Sequence, residues 1–70
     1  MIDWFRVISD LERSGLTLRS QADAVRVSAA TVHYWKSGGE PRYSHGQIMV
    51  SLYIARTNQP LPLQSTLSST

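Results

Sequence analysis

The sequence predicts an all-α fold: a compact domain of four short helices over residues 1–57, followed by an extended or flexible C-terminal tail over residues 58–70. Three observations predict it. Apolar residues recur at helical rather than alternating spacing through the first 57 positions. Each run opens on a capping residue, and glycine-containing or irregular stretches separate the runs. Finally, the 70 residues include no cysteine and only two histidines, so neither disulfides nor a thiolate metal site can replace helix packing as the source of stability.

The elements follow in order. Asp3 is an N-cap, with Ile2 before it as a hydrophobic staple to Val7. Ile2, Phe5, Ile8 and Leu11 lie on one face, and Gly15 supplies a left-handed C-terminal residue, so the first helix runs from Trp4 to about Ser14. Thr17 or Ser20 caps a short second helix, with Ala22 and Val25 inward and Arg19, Asp23 and Arg26 outward. Val27 plugs a turn, and Ser28 caps a third helix that reaches about Lys36 and stops at Gly38-Gly39. Pro41 and the glycines make the next loop irregular. Ser44 and Gln47 have capping-box spacing, and Ile48, Leu52 and Ala55 form the inner stripe of a fourth helix, widened by Met49, Val50, Tyr53 and Ile54. The tail is uncharged and rich in Ser, Thr and Pro.

The formal net charge is +2, which suits a nucleic-acid partner without requiring one. Its distribution is more telling. Between Arg26 and Arg56 the basic residues are Arg26, Lys36, Arg42 and Arg56, and the only acid is Glu40. Asp3, Asp10, Glu12 and Asp23 keep the N-terminal part near neutral. An apolar run long enough for a membrane span is missing, and the first residues lack the basic and apolar regions of a signal peptide, so the expectation is a cytoplasmic protein with no membrane partner. Paired carboxylates and nucleophile–base pairs at telling spacing are also missing, and His33 and His45 have no supporting ligand motif. The expectation is therefore no enzyme, no metal, no cofactor and no small-molecule ligand.

Gly15-Leu16-Thr17, Ala22, Val25, Val27-Ser28, Thr31-Val32 and Trp35-Lys36-Ser37-Gly38 run without a gap in a pattern that resembles the phage-repressor-like helix-turn-helix family, the Cro and lambda-repressor group. Pro41-Arg42-Tyr43, then Gly46 and an apolar helix, is similar to a subset of phage and plasmid members. The resemblance implies a lambda-repressor-like domain with its helix-turn-helix over about residues 17–37. It also implies a Cro-like repressor in a bacterial cytoplasm or nucleoid, encoded by a phage or other mobile element. There are two departures. Arg26 stands where the family usually has glycine, so either it adopts a left-handed conformation at a cost of about 1 kcal/mol or the turn differs. Leu18 stands where the family often has a glutamine that braces the recognition helix and touches a phosphate, a task left to Arg19 or Thr17.

At about 100° per residue, Ala29, Ala30, His33, Tyr34 and Ser37 share the outward arc of the third helix, while Val32 and Trp35 face the other way. That arc is the one a major groove would meet, and these five are the candidate base-contacting residues. The alanines offer nothing but contact with a thymine methyl, so hydrogen-bonded readout falls on His33, Tyr34 and Ser37, with DNA shape supplying the rest. The candidate phosphate contacts are Thr17, Arg19, Ser28, Lys36, Arg42 and Tyr43. Ser44, His45 and Gly46 join them at the opening of the fourth helix, where free N–H groups can hold a phosphate and Gly46 would admit a DNA backbone. The competing readings are a solvated surface charge for Arg19 and Arg42, a plain N-cap for Ser28, a core-rim ring for Tyr43 and an exposed surface histidine for His33.

The fourth helix is apolar over more than half its circumference, which calls for a second surface. The expected partner is a second copy, with Met49, Val50, Tyr53, Ile54, Leu61 and Leu63 at the interface and Leu67 as a further docking leucine. Such a dimer would bind a palindromic double-stranded operator. The rival reading is an antitoxin or small adaptor that uses the same fold mainly to hold another protein.

Overall fold

Asp3 begins the first helix as predicted: its carboxylate accepts the N–H of Arg6 at 3.2 Å. The computed structural model describes residues 2–63 and contains α1 (Trp4–Arg13), α2 (Leu18–Val25), α3 (Ala29–Lys36) and α4 (Tyr43–Thr57). Among the described residues there is no strand, only an isolated antiparallel bridge between Ile2 and Leu63. No described helix is long and apolar enough to cross a membrane.

Local capping sets the first three helices. Gly15, at φ +107°, turns the chain out of α1, and the Leu16 N–H returns to the Leu11 carbonyl at 3.0 Å. Thr17 rather than Ser20 caps α2, accepting the Ser20 N–H at 3.1 Å. Ser28 caps α3 by accepting the Thr31 N–H at 3.2 Å. Val7, Ile8 and Leu11 of α1, Ala22 and Val25 of α2, and Val32 and Trp35 of α3 are buried together. Phe5 departs from its expected inward place and is 56% exposed. It sits a full 100° round from Trp4, at the edge of the inward stripe, where the Lys36 ammonium lies 5.8 Å from its ring centre.

The register of α4 differs from the expected one. The helix begins at Tyr43, so the Ser44–Gln47 capping box does not form; Gln47 instead donates to the Tyr43 hydroxyl at 2.9 Å. Its buried line is Gly46, Met49 and Tyr53, while Ile48 and Ala55 are exposed and Leu52 is half-buried. Gly46 faces α1: a Cβ there would make ordinary van der Waals contact with the Trp4 ring at 3.5 Å and Pro41 at 3.7 Å. Met49 and Tyr53, on the same side of the helix as Gly46, fill the core. Tyr53 then donates its hydroxyl to Asp10 at 2.9 Å. Asp10 also accepts from Arg13, and the two bonds, Arg13's first, hold its carboxyl below its ordinary value of 3.8. Burial, and then the bond to Asp10, pushes the Tyr53 hydroxyl above 10.0.

The segment after α4 is less free than expected. Asn58, left-handed at φ +54°, ends the helix. The chain then returns to its own N-terminus, where the Asp3 N–H donates to the Pro62 carbonyl at 2.9 Å and Leu61 packs half-buried against the core. The domain therefore continues past residue 57 to Leu63. The rest of the tail, with Leu67, lies outside the described residues.

Candidate nucleic-acid interface

The connection between α2 and α3 determines what α3 can present. The Val27 N–H bonds the Ala22 carbonyl at 2.9 Å and the Arg26 N–H bonds the same oxygen at 2.7 Å, closing α2 with a Schellman-type turn. This turn requires a left-handed residue, and Arg26 takes that role at φ +69°, ψ +48°. Val27 folds back onto the core as the associated apolar contact.

With Val32 and Trp35 locked inward, Ala30, His33, Tyr34 and Ser37 are exposed on the opposite side of α3. Ala29 does not join them; its methyl packs against the core, so the outward arc is shorter than the sequence suggests. The side chain of Ser28 is committed to capping and also shares a hydrogen bond with the Thr31 hydroxyl at 2.9 Å. The Thr17 hydroxyl is likewise engaged, donating to Ser20 at 3.1 Å.

The expected phosphate contacts divide into two groups. Arg19 and Arg42 are exposed and, like Arg26, form no ion pair among the described residues. Tyr43 is 81% exposed, so it is not a core-rim ring. Lys36 is otherwise employed: its ammonium reaches Glu12 at 2.6 Å and its side chain is only 27% exposed. At the start of α4 no side chain caps the helix, and the first intrahelical bond runs from the Gly46 N–H to the Arg42 carbonyl at 2.7 Å. The N–H groups of Tyr43, Ser44 and His45 therefore have no partner within the helix. The His45 ring itself leans on Trp35, with centroids 5.9 Å apart, leaving its backbone rather than its ring for an anion. Gly46 is buried under Trp4 and its N–H is used, so it serves packing and not the approach of a DNA backbone.

Two of the expected dimer residues are also reassigned. Met49 and Tyr53 are 0% and 2% exposed inside the chain's own core and cannot reach a partner without unfolding it. Leu61 is half-buried against the same core. Ile54 and Leu63 remain 47% and 63% exposed, and Val50 is half-buried. Val50 lines an open groove of about 830 Å³ that also includes Ile2, Trp4, Pro41, Tyr43 and Gly46.

Sequence reasoning missed two residues that position this face. Gln21 is fully buried and its amide donates to the Leu16 carbonyl at 3.0 Å and the Ile8 carbonyl at 3.3 Å, tying α2 to α1. Its place one residue before Ala22, on the inward side of an otherwise apolar stripe, was the available signal. Gly39 lies under the Tyr34 ring, and the Gly38-Gly39 pair was read only as a helix stop. Among the described residues, no three His, Cys, Asp or Glu side chains gather as a metal site. No protein-family model, curated protein or solved structure matches this chain.

Proposed function

We propose that the chain is a sequence-specific, double-stranded DNA-binding regulator of the helix-turn-helix type, with α3 lying in the major groove, and that it represses by occupying a promoter. One observation carries the reading: α2 and α3 are joined by a left-handed turn that leaves Ala30, His33, Tyr34 and Ser37 as an exposed arc on a helix whose other side is locked in the core. Arg19, Arg42 and the uncapped N-terminus of α4 support it, because unpaired guanidinium and N–H groups suit phosphate oxygens. His33 and Ser37 supply polar readout, and Ala30 and Tyr34 a more apolar contact.

One such unit covers few base pairs, so the reading includes a homodimer on an inverted repeat, with recognition helices about 34 Å apart. Among the described residues, the expected surfaces left for it are Val50, Ile54 and Leu63. Selection of duplexes from a random pool tests the reading. An enriched palindrome that carries two chains by light scattering supports both parts. A single bound chain overturns the dimer, and no enrichment overturns the regulator.

A further inference from the structure

We propose that Gly39 is a positioning residue that holds Tyr34 as a reader of a thymine methyl group, an inference that rests on the DNA-binding reading above. The outward face of α3 carries two rows of neighbours four residues apart, Ala30 with Tyr34 and His33 with Ser37. The first row is an apolar strip, and the apolar group on the major-groove floor is the C5-methyl of thymine.

An exposed tyrosine ordinarily samples several rotamers. The Tyr34 ring instead rests on the loop backbone. A Cβ on Gly39 would stand 2.2 Å from its Cε2 and 2.4 Å from its Cδ2. The Gly39 N–H donates to the Tyr34 carbonyl at 2.9 Å, which fixes the loop at that point. One face of the ring is thus supported while the residue stays 63% exposed. The neighbouring glycine differs. Gly38 has φ +125° and a Cβ there meets nothing within 4 Å, whereas Gly39 has no positive φ. Gly38 is required by the backbone and Gly39 by the ring. Adding a methyl at Gly39 meets the far end of a side chain rather than backbone, so the variant folds with the ring moved.

The test uses Gly39→Ala and Tyr34→Ala, singly and together, with Gly38→Ala as control. Each is titrated with the duplex the wild-type chain selects and with duplexes carrying deoxyuridine in place of each thymine in turn. At one thymine per half-site, loss of the methyl weakens wild-type binding about fourfold, the transfer free energy of one buried methyl. Tyr34→Ala and Gly39→Ala have lost that discrimination, and the double variant binds no worse than Tyr34→Ala. Gly38→Ala, though less stable, keeps it. Wild-type indifference to every thymine methyl, or a Gly39→Ala chain that discriminates like wild type, overturns the proposal while leaving DNA binding intact. A chain that selects no duplex overturns both readings.

Discussion

Replacing Arg26 by glycine isolates the cost of the turn on which the proposed recognition face depends. Arg26 holds φ +69° and ψ +48°, where a Cβ crowds its own backbone. The side chain is exposed and makes no ion pair among the described residues, so truncating it removes little else. Left-handed strain costs a non-glycine residue about 1–2 kcal/mol. Glycine relieves that but adds about 0.5–1 kcal/mol of unfolded-state entropy. The net gain is about 0.5–1 kcal/mol, a rise in Tm of roughly 2–8 °C for a domain of this size. Arg26→Ala keeps the Cβ and therefore the strain, and stays near wild type. Thermal unfolding of the three proteins followed by circular dichroism gives the comparison. If Arg26→Gly is no more stable than Arg26→Ala, the left-handed turn is not where the strain lies and the argument fails. DNA titration of the same pair separates stability from function: both variants lose the same charge, so their affinities for a selected duplex should agree even as their Tm values diverge.

The remaining predictions concern the brace, the acid–phenol pair and the cationic contacts. Gln21→Ala removes a fully buried side chain and two hydrogen bonds and should cost about 2–4 kcal/mol in urea unfolding, whereas the near-isosteric Gln21→Met also removes the unpartnered Oε1 and should cost about 1 kcal/mol or less. The stability contributed by Asp10 is complete above its unfolded value of 3.8 and disappears as pH falls through its lower folded value, so Asp10→Asn should flatten the fall in Tm below about pH 4. Tyr53, raised in the folded state, contributes stability that is complete below 10.0 and is lost as pH climbs above it; Tyr53→Phe should make the alkaline limb shallower. Under the DNA-binding reading, Arg19→Gln and Arg42→Gln should each lower the slope of log Kd against log salt by about 1, while Lys36→Gln, already paired with Glu12, should leave it unchanged.

What was legible in the sequence was local. Asp3, Thr17 and Ser28 announce their helices because a capping side chain needs only the residues two or three positions ahead, and Gly15 ends α1 for an equally local reason. Ala22, Val25, Val32 and Trp35 were legible because α2 and α3 each have a clear inward side. The register of α4 was not, because a helix apolar over most of its circumference points nowhere by itself. Packing against α1 decides it, where Gly46 faces Trp4, forty-two positions away, and Tyr53 bonds Asp10. The docking of residues 61–63 was not legible for the same kind of reason, since the Asp3 N–H meets the Pro62 carbonyl from the far end of the domain. At the candidate site the outward arc of α3 followed from angular spacing. The engagement of Lys36 with Glu12 did not, because it depends on how α1 and α3 cross.

That register has a consequence for assembly. With Met49 and Tyr53 committed to the chain's own core, the expected interface residues left for a second copy among the described residues are few: Val50, Ile54 and Leu63. A stable interface usually takes about 800 Å² from each partner. Against a surface of 4573 Å², such an interface would claim more than a sixth, and three side chains alone do not make one. Under the DNA-binding reading, dimerisation is then expected on the complex. Two half-sites on one duplex raise the effective concentration of the second copy, and a weak contact that would not hold two free chains together is then sufficient. The apolar breadth of α4 argues in the sequence for a preformed dimer; in the folded chain much of it is spent on the core, and under the DNA-binding reading the weak contact that remains is expected to form on the duplex.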